Sequence, residues 1–370
     1  MAIGIQDEHE ELRAAVQGWA ESRGLAAVVR EALDADADTL PRYWGDLAAQ
    51  GLLAIHLDED LGGQGAGVVE LAVVAEELGR AAAVGPWDTT AVVAGVVAAA
   101  GSAGLAKSLL PGLADGSLTA TLAVPTAAPD GSPVAHTGLS GEAGPDGSLV
   151  VTGVLRPLVH GAVVSHALAP VVVGDAARWV VLERADASSV TPLLSFDLTR
   201  PTAMWTVDGA NVAGERVLDV TTGAVRDLAL VVLSAEASGG ARWCLDAAAE
   251  HARTREQFGR PIGTFQGVGF MIADMATEIE AARALVYRAA WLKDRGRDYG
   301  LAAAQAKLFT SEVSSRVTNA AIQVHGGYGY VEDYKVERYL RDAKLTEIGE
   351  GTSQVQRLVI ARKILGLRVV

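Results

Sequence analysis

Apolar and polar positions follow three successive regimes along this chain. Up to about residue 115 the apolar positions recur at helical spacing. Leu12, Val16 and Trp19 predict a helix over 7–21, and Trp44, Leu47 and Ala48 another over 40–51, where Gly51 stops it. An Ala/Val/Leu/Glu run over 68–79 predicts a third helix after a glycine-rich loop. From about 118 to 220 the period shortens. β-Branched runs at 119–124, 148–154, 169–173, 179–182 and 203–207 predict strands, and Pro129-Asp130-Gly131 and Pro145-Asp146-Gly147 are turn signals between them. From about Arg226 the helical period returns. Val268, Met271, Ile272, Met275, Ile279, Ala282 and Val286 form one apolar stripe, and further helices are expected over 301–325, 336–344 and 353–365. The expected fold is mostly α with a central β-domain, divided at 1–116, 117–222 and 223–370. Helices, then strands, then helices is not the βαβ alternation of a doubly wound sheet.

Composition narrows the function. The chain has 370 residues, half of them hydrophobic, which is more than one compact core usually serves. The Ala/Val-rich run over 89–100 is shorter than the roughly 20 residues a membrane span needs. Asp7, Glu8, Glu10 and Glu11 stand where a signal peptide would place basic and apolar residues, so a cytoplasmic protein is expected, with no membrane partner. A net charge of −14 argues against nucleic acid, but a few placed arginines suffice for a phosphorylated cofactor. The single cysteine, Cys244, excludes a disulfide within the chain and reads as a small packed hydrophobe. The seven histidines show no metal-ligand spacing, so no metal is expected; His325 reads as a bystander.

Two glycine clusters invite a nucleotide-fold reading. Gly62-Gly63-Gln64-Gly65-Ala66-Gly67 lies between helical segments and follows Asp58-Glu59-Asp60, which would repel a pyrophosphate; it reads as a turn. Gly326-Gly327-Tyr328-Gly329-Tyr330 also follows a helix rather than a strand. Spacing alone leaves it open between ending that helix and letting backbone approach a bulky ligand.

The sharpest local signal is Gly349-Glu350-Gly351-Thr352-Ser353-Gln354-Val355-Gln356. Ser353 and Gln356 have capping-box spacing, which starts the last helix at about Gln354. Glu350 therefore sits on the loop ahead of a helix N-terminus, whose free amides favour anionic neighbours. Taken alone, a loop glutamate is most often a solvated surface residue.

The flanking motifs change that reading. Arg255-Glu256-Gln257-Phe258-Gly259, continuing to Phe265-Gln266, resembles the "R-x-Q-F-G … F-Q" signature of the acyl-CoA dehydrogenase family. Gln323-Val324-His325-Gly326-Gly327-Tyr328-Gly329 resembles its "Q-x-x-G-G-x-G" element, and Arg338-Tyr339-Leu340-Arg341-Asp342-Ala343 with Glu350-Gly351-Thr352 completes the C-terminal pattern in order. The N-terminal part matches too, over 44–53 and 62–77, so the likeness covers nearly the whole chain.

The resemblance implies a helical N-terminal domain, a small β-domain and a C-terminal four-helix bundle. It also implies a flavoprotein of lipid metabolism, acting in fatty acid or steroid catabolism. Glu350 would remove the α-proton of an acyl-CoA while the β-hydride passes to FAD. Carried over by position, Arg255 would hold the FAD diphosphate, Phe258 would pack by the cofactor, and Gln266, Gln323, Gly326 and Gly327 would line its ADP end. Thr352 and Gln354 would touch the near part of the cofactor, and Gly349 and Gly351 would leave room for substrate. The implied partners are an electron-transfer flavoprotein as acceptor and further subunits, in a homotetramer or a heterotetramer with a second acyl-CoA dehydrogenase-like chain.

The β-domain departs from the family pattern. Where members carry "T-E-P-G-A-G-S-D", this chain has Ala123-Val124-Pro125-Thr126-Ala127-Ala128-Pro129-Asp130, so the threonine and serine are Ala123 and Pro129. In the "G-x-K-x-W-I-T" strand the tryptophan and threonine are Pro157 and Val159, and the usual tyrosine four residues before Arg255 is His251. These departures resemble one subunit of bacterial sterol-catabolism dehydrogenases built from two unlike chains. A non-catalytic or half-site partner subunit of such a heteromeric enzyme is therefore the alternative, beside a related flavin enzyme such as an acyl-carrier-protein dehydrogenase or oxidase.

Overall fold

The computed structural model describes residues 6–34, 39–123, 138–367 and 369. Its helices are α1 (Asp7–Ser22), α2 (Leu25–Asp34), α3 (Trp44–Ala49), α4 (Val68–Arg80), α5 (Trp87–Ala100), α6 (Ala103–Ala114), α7 (Thr222–Thr254), α8 (Gln266–Asp294), α9 (Gly300–His325), α10 (Val336–Ile348) and α11 (Ser353–Leu365). The strands of its main sheet are β1 (Ala120–Leu122), β2 (Leu139–Ala143), β3 (Leu149–Val159), β4 (His166–Val173), β5 (Ala176–Glu183), β6 (Ala187–Leu193), β7 (Thr202–Val212) and β8 (Val217–Leu218). The fold is mostly helical with a central sheet domain, as the sequence pattern indicates.

The described residues form two compact units. One comprises 27–71, 84–229 and 361–370. Its sheet runs β6-β7-β3-β2-β4-β5-β8, with β1 parallel to β4 and β2 meeting β4 in parallel at Ser140 and Val172. Along β7 the buried positions Ala203, Trp205 and Val207 alternate with half-buried ones, the two-residue period of a strand with one packed face. Leu155 is the partner of Trp205 across the β3–β7 ladder, and the Trp205 indole donates to the Gly161 carbonyl at 2.7 Å. That hydrogen bond lets a large aromatic ring be buried without leaving its N–H unpaired. The Gly62–Gly67 cluster is a turn leading into α4, as expected. A Cβ on Gly63 would come within 2.0 Å of the Leu57 carbonyl oxygen, so close backbone packing accounts for that glycine.

The other unit comprises 1–26, 72–83 and 230–360. Its core joins Ala241, Cys244 and Ala248 of α7 to Met275 and Ile279 of α8, Val313 and Val317 of α9, and Tyr339 of α10. Cys244 is fully buried there, and burial pushes its thiol pKa up, which fits a packing role. The predicted stripe on α8 holds: Met275, Ile279, Ala282 and Val286 are buried, and Val268, Met271 and Ile272 pack half-buried against the same core.

Two features differ from the sequence reading. The 33-residue α7 contains an apolar window long enough to cross a membrane, with mean hydropathy 1.2 in that window, where no such stretch is expected. Its apolar window is 83% buried inside the protein, which makes it a core helix. The last helix begins at Ser353, and the anticipated capping box does not form: Thr352 Oγ1 accepts from the Val355 amide at 3.3 Å, while Ser353 Oγ is buried without a partner.

Candidate active site

The site is built on the short connection between α10 and α11. Gly349 caps α10, its amide donating to the Leu345 carbonyl at 2.7 Å. The chain then reverses through two left-handed residues, Glu350 at φ 55° and Gly351 at φ 91°. Glycine adopts that conformation freely, whereas a glutamate held there costs about 1–3 kcal/mol and needs surroundings that over-determine it. Two buried side chains supply them. The Gln356 amide donates to the Glu350 and Gly351 carbonyls, both at 3.2 Å, and the Lys307 ammonium on α9 donates to the Gly351 carbonyl at 2.6 Å.

The electrostatics follow from this packing. Lys307 is only 1% exposed, and burial lowers its pKa to about 8, opposed by the nearby Glu350 and Glu347 carboxylates. Glu350 is half-buried, just ahead of the α11 N-terminus. A carboxylate so placed, between two residues without side chains, can accept a proton from a molecule lying against the loop. Gly351 has a backbone reason to be glycine in its φ, and a Cβ there would also meet the Gln356 amide nitrogen at 2.9 Å.

A second cluster lies where α7 and α9 end. His251, Arg255, Gln257, His325, Gly326, Gly327, Tyr328 and Tyr334 line a cleft of about 570 Å³. The His251 and His325 rings stack at 4.5 Å, and the Arg255 guanidinium lies 5.5 Å from the Tyr328 ring centre. His325 Nδ1 is 2.8 Å from the Ala321 carbonyl, which can only accept, so Nδ1 carries the proton. Burial, helped by His325 and Arg255, pushes the His251 pKa down. Gly326 has φ 60° and ends α9, and nothing lies within 4 Å of a Cβ built on Gly326 or Gly327. This cluster therefore both terminates a helix and leaves backbone open to the cleft.

Of the residues singled out from sequence, Arg255, Gly326 and Gly327 come together in this cleft. Gln323, Phe258 and Gln266 are exposed and do not line it, and neither do Glu350, Thr352 and Gln354. Phe258 is 93% exposed and, like Glu350, held at φ 55°. An exposed arginine fork, an aromatic face and unobstructed glycine backbone suit a dinucleotide: the cation takes diphosphate oxygens and the rings offer stacking. Just past β1, the Ala123 amide donates to the Leu168 carbonyl; Pro157 is exposed, and the Val159 carbonyl accepts from the Thr121 hydroxyl at 2.6 Å. Pro129 lies outside the described residues. Lys307, Gln356 and the His251–His325 stack were not anticipated. A lone lysine within the alanine-rich start of α9 was the available signal for Lys307.

Comparison with known proteins places the chain. Residues 6–117 match the acyl-CoA dehydrogenase N-terminal domain and residues 229–365 the acyl-CoA dehydrogenase C-terminal domain. Probable acyl-CoA dehydrogenase YngJ of Bacillus subtilis is 56% identical over 135 residues, 36% of each chain. Probable acyl-CoA dehydrogenase FadE25 of Mycobacterium leprae is 34% identical over 98% of this chain and 96% of its own length. Among solved structures, a variant of the Tcur3481–Tcur3483 steroid ACAD is 27% identical, with a TM-score of 0.88 over 97% of this chain and 98% of that one. The chain belongs to the acyl-CoA dehydrogenase family.

Proposed function

We propose that this chain is an FAD-dependent acyl-CoA dehydrogenase in which Glu350 removes the α-proton of the acyl thioester. The observation that carries the proposal is the Glu350 backbone. A non-glycine residue at φ 55°, tied through its own and the next carbonyl to two buried side chains, is strain kept for a purpose. FAD, when bound, supplies the hydride acceptor for the β-carbon. The protein's part is to place the carboxylate against the α-carbon and hold the cofactor. Arg255 takes the diphosphate, Gly326 and Gly327 give it room, and Phe258, Gln266 and Gln323 present exposed surface for the rest, shared with a neighbouring subunit. Exposed Phe258, Phe270 and Tyr330 on the helical unit support assembly into a tetramer. Thr352 and Gln354 serve the near end of the cofactor, and Gly349 and Gly351 the substrate. In this reading the three divisions at 1–116, 117–222 and 223–370 are those of the family, the protein is cytoplasmic, and electrons leave to an electron-transfer flavoprotein.

A second reading is favoured by the sheet. Ala123, Pro157 and Val159 offer no side-chain hydroxyl or indole where the family pattern has them, and the similar steroid ACAD carries the double designation Tcur3481–Tcur3483. The chain would then be one subunit of a heteromeric dehydrogenase, completing flavin sites with an unlike partner.

One experiment tests both readings: the visible spectrum of the chain purified alone, followed on adding acyl-CoAs of different chain length. Flavin bands that bleach with a substrate support the self-sufficient enzyme. A colourless protein that acquires flavin only with a second dehydrogenase-like chain supports the heteromer. A colourless protein that stays so with any partner overturns both.

A further inference from the structure

We propose that Lys307 is a positioning residue for the proton transfer: its buried ammonium holds the Glu350–Gly351 loop and sets a positive charge behind the Glu350 carboxylate. The inference rests on the reading of Glu350 as the base.

An ammonium is costly to bury, and methionine or leucine would fill the same place on α9 without that cost. Lys307 is nonetheless almost completely buried, packed in a helix whose neighbouring positions Ala303, Ala304 and Ala306 are small and apolar. Its hydrogen bond goes to the Gly351 carbonyl, and the carboxylates that act on it are Glu350, on the same loop, and Glu347, on α10. Glu347 is already paired with Lys344 at 2.6 Å. Of the two, Glu350 acts on Lys307 more strongly.

The division of labour with Gln356 sharpens the assignment. The neutral Gln356 amide already holds both loop carbonyls. A second neutral donor would complete the mechanical support, so the distinctive contribution of lysine is its charge. Lys307 and Glu350 act on each other, and a positive charge near a carboxylate favours its ionised form. Half-burial and a nearby apolar acyl chain push the other way. The Lys307 charge opposes that push when a substrate excludes water from the loop.

The test is the pH profile of kcat/KM for acyl-CoA oxidation in wild type, K307Q, K307M and E350Q. K307Q keeps a donor for the Gly351 carbonyl but loses the charge. The acid limb moves up by about one pH unit, so activity falls about tenfold at the acid end and the loss shrinks as pH rises. K307M, of similar length and apolar, gives the same shift with a lower plateau, and it provides folded protein should K307Q not fold. An acid limb that stays within about 0.3 units of wild type in these variants overturns the assignment. The E350Q control separates the two claims. If E350Q is inactive while the limb is unmoved in the Lys307 variants, only the Lys307 assignment fails. If E350Q turns over like wild type, the base itself is misassigned and the Lys307 inference fails with it.

Discussion

The carbonyl oxygen of Glu76 occupies the space a side chain on Gly239 would need: a Cβ built on Gly239 would come within 1.7 Å of it. The same contact recurs one turn away, where a Cβ on Gly79 would meet the Glu236 carbonyl oxygen at 2.1 Å. Helices α4 and α7 therefore touch backbone to backbone, and neither glycine can gain a methyl group without moving a helix. G239A should cost about 3 kcal/mol or more, beyond ordinary overpacking, because backbone cannot rotate away. Urea unfolding at neutral pH measures it; a cost below about 0.5 kcal/mol would contradict the close packing.

The contact also fixes a buried charge cluster. Glu76 accepts hydrogen bonds from Arg283 at 2.6 Å and from the Tyr287 hydroxyl, and its neighbour Glu77 lies 3.3 Å from Arg13. Burial first, and the Glu76 carboxylate second, raise the Glu77 pKa from 4.5 to about 7, against the pull of Arg80 and Arg13. Between those values the folded protein binds more protons than the unfolded chain, so this group's contribution to stability falls as pH rises through that window and then levels. E77Q removes the titration. It should match wild type near pH 5 and exceed it at pH 8 by about 1–2 kcal/mol, read as a Tm difference that grows with pH. A Tm difference that does not change with pH would count against the shift.

Among the described residues, Arg255 is the one arginine lining the cleft at the ends of α7 and α9. R255Q should weaken FAD binding at least tenfold, measured by quenching of flavin fluorescence in a titration. R255K should recover only part of this, since an ammonium cannot fork onto two phosphate oxygens. Equal FAD affinity in all three proteins would remove Arg255 from the cofactor site.

The left-handed backbone at Glu350 gives a stability prediction separate from chemistry. E350G and E350Q both lose the carboxylate, but only glycine relieves the strain. E350G should be the more stable of the two by about 0.5–1 kcal/mol in thermal unfolding. E350Q matching or exceeding E350G would mean the conformation carries no strain.

Much of this architecture is legible in the sequence because it is periodic. The spacing predicts the start of α11 to within one residue, and the starts of α1, α4 and α10 at their observed residues. Elements were missed where periodicity fails. Helix α5 is buried on nearly every side, so its Ala/Val run shows no polar face. Strands β2 and β6 carry exposed polar residues such as Ser140, Glu142, Ser188 and Ser189. The candidate site was legible through its loop motifs, since Glu350 between two glycines and the arginine–phenylalanine–glycine segment are local signals. What holds Glu350 was not. Lys307 lies 43 residues earlier, and only the packing of α9 against the loop brings it there. The Ser353–Gln356 spacing misled for a related reason: Gln356 is used by the strained loop ahead of it instead of by a capping box.

The account turns on one carboxylate. Mixing flavin-loaded wild type and E350Q with the same acyl-CoA in a stopped-flow spectrometer isolates its role, because E350Q keeps the size and polarity of the side chain and removes only the base. The account predicts that E350Q binds flavin and acyl-CoA as wild type does, while bleaching of the flavin band slows by at least about a thousandfold. Bleaching at the wild-type rate would place the base elsewhere and contradict the proposed mechanism.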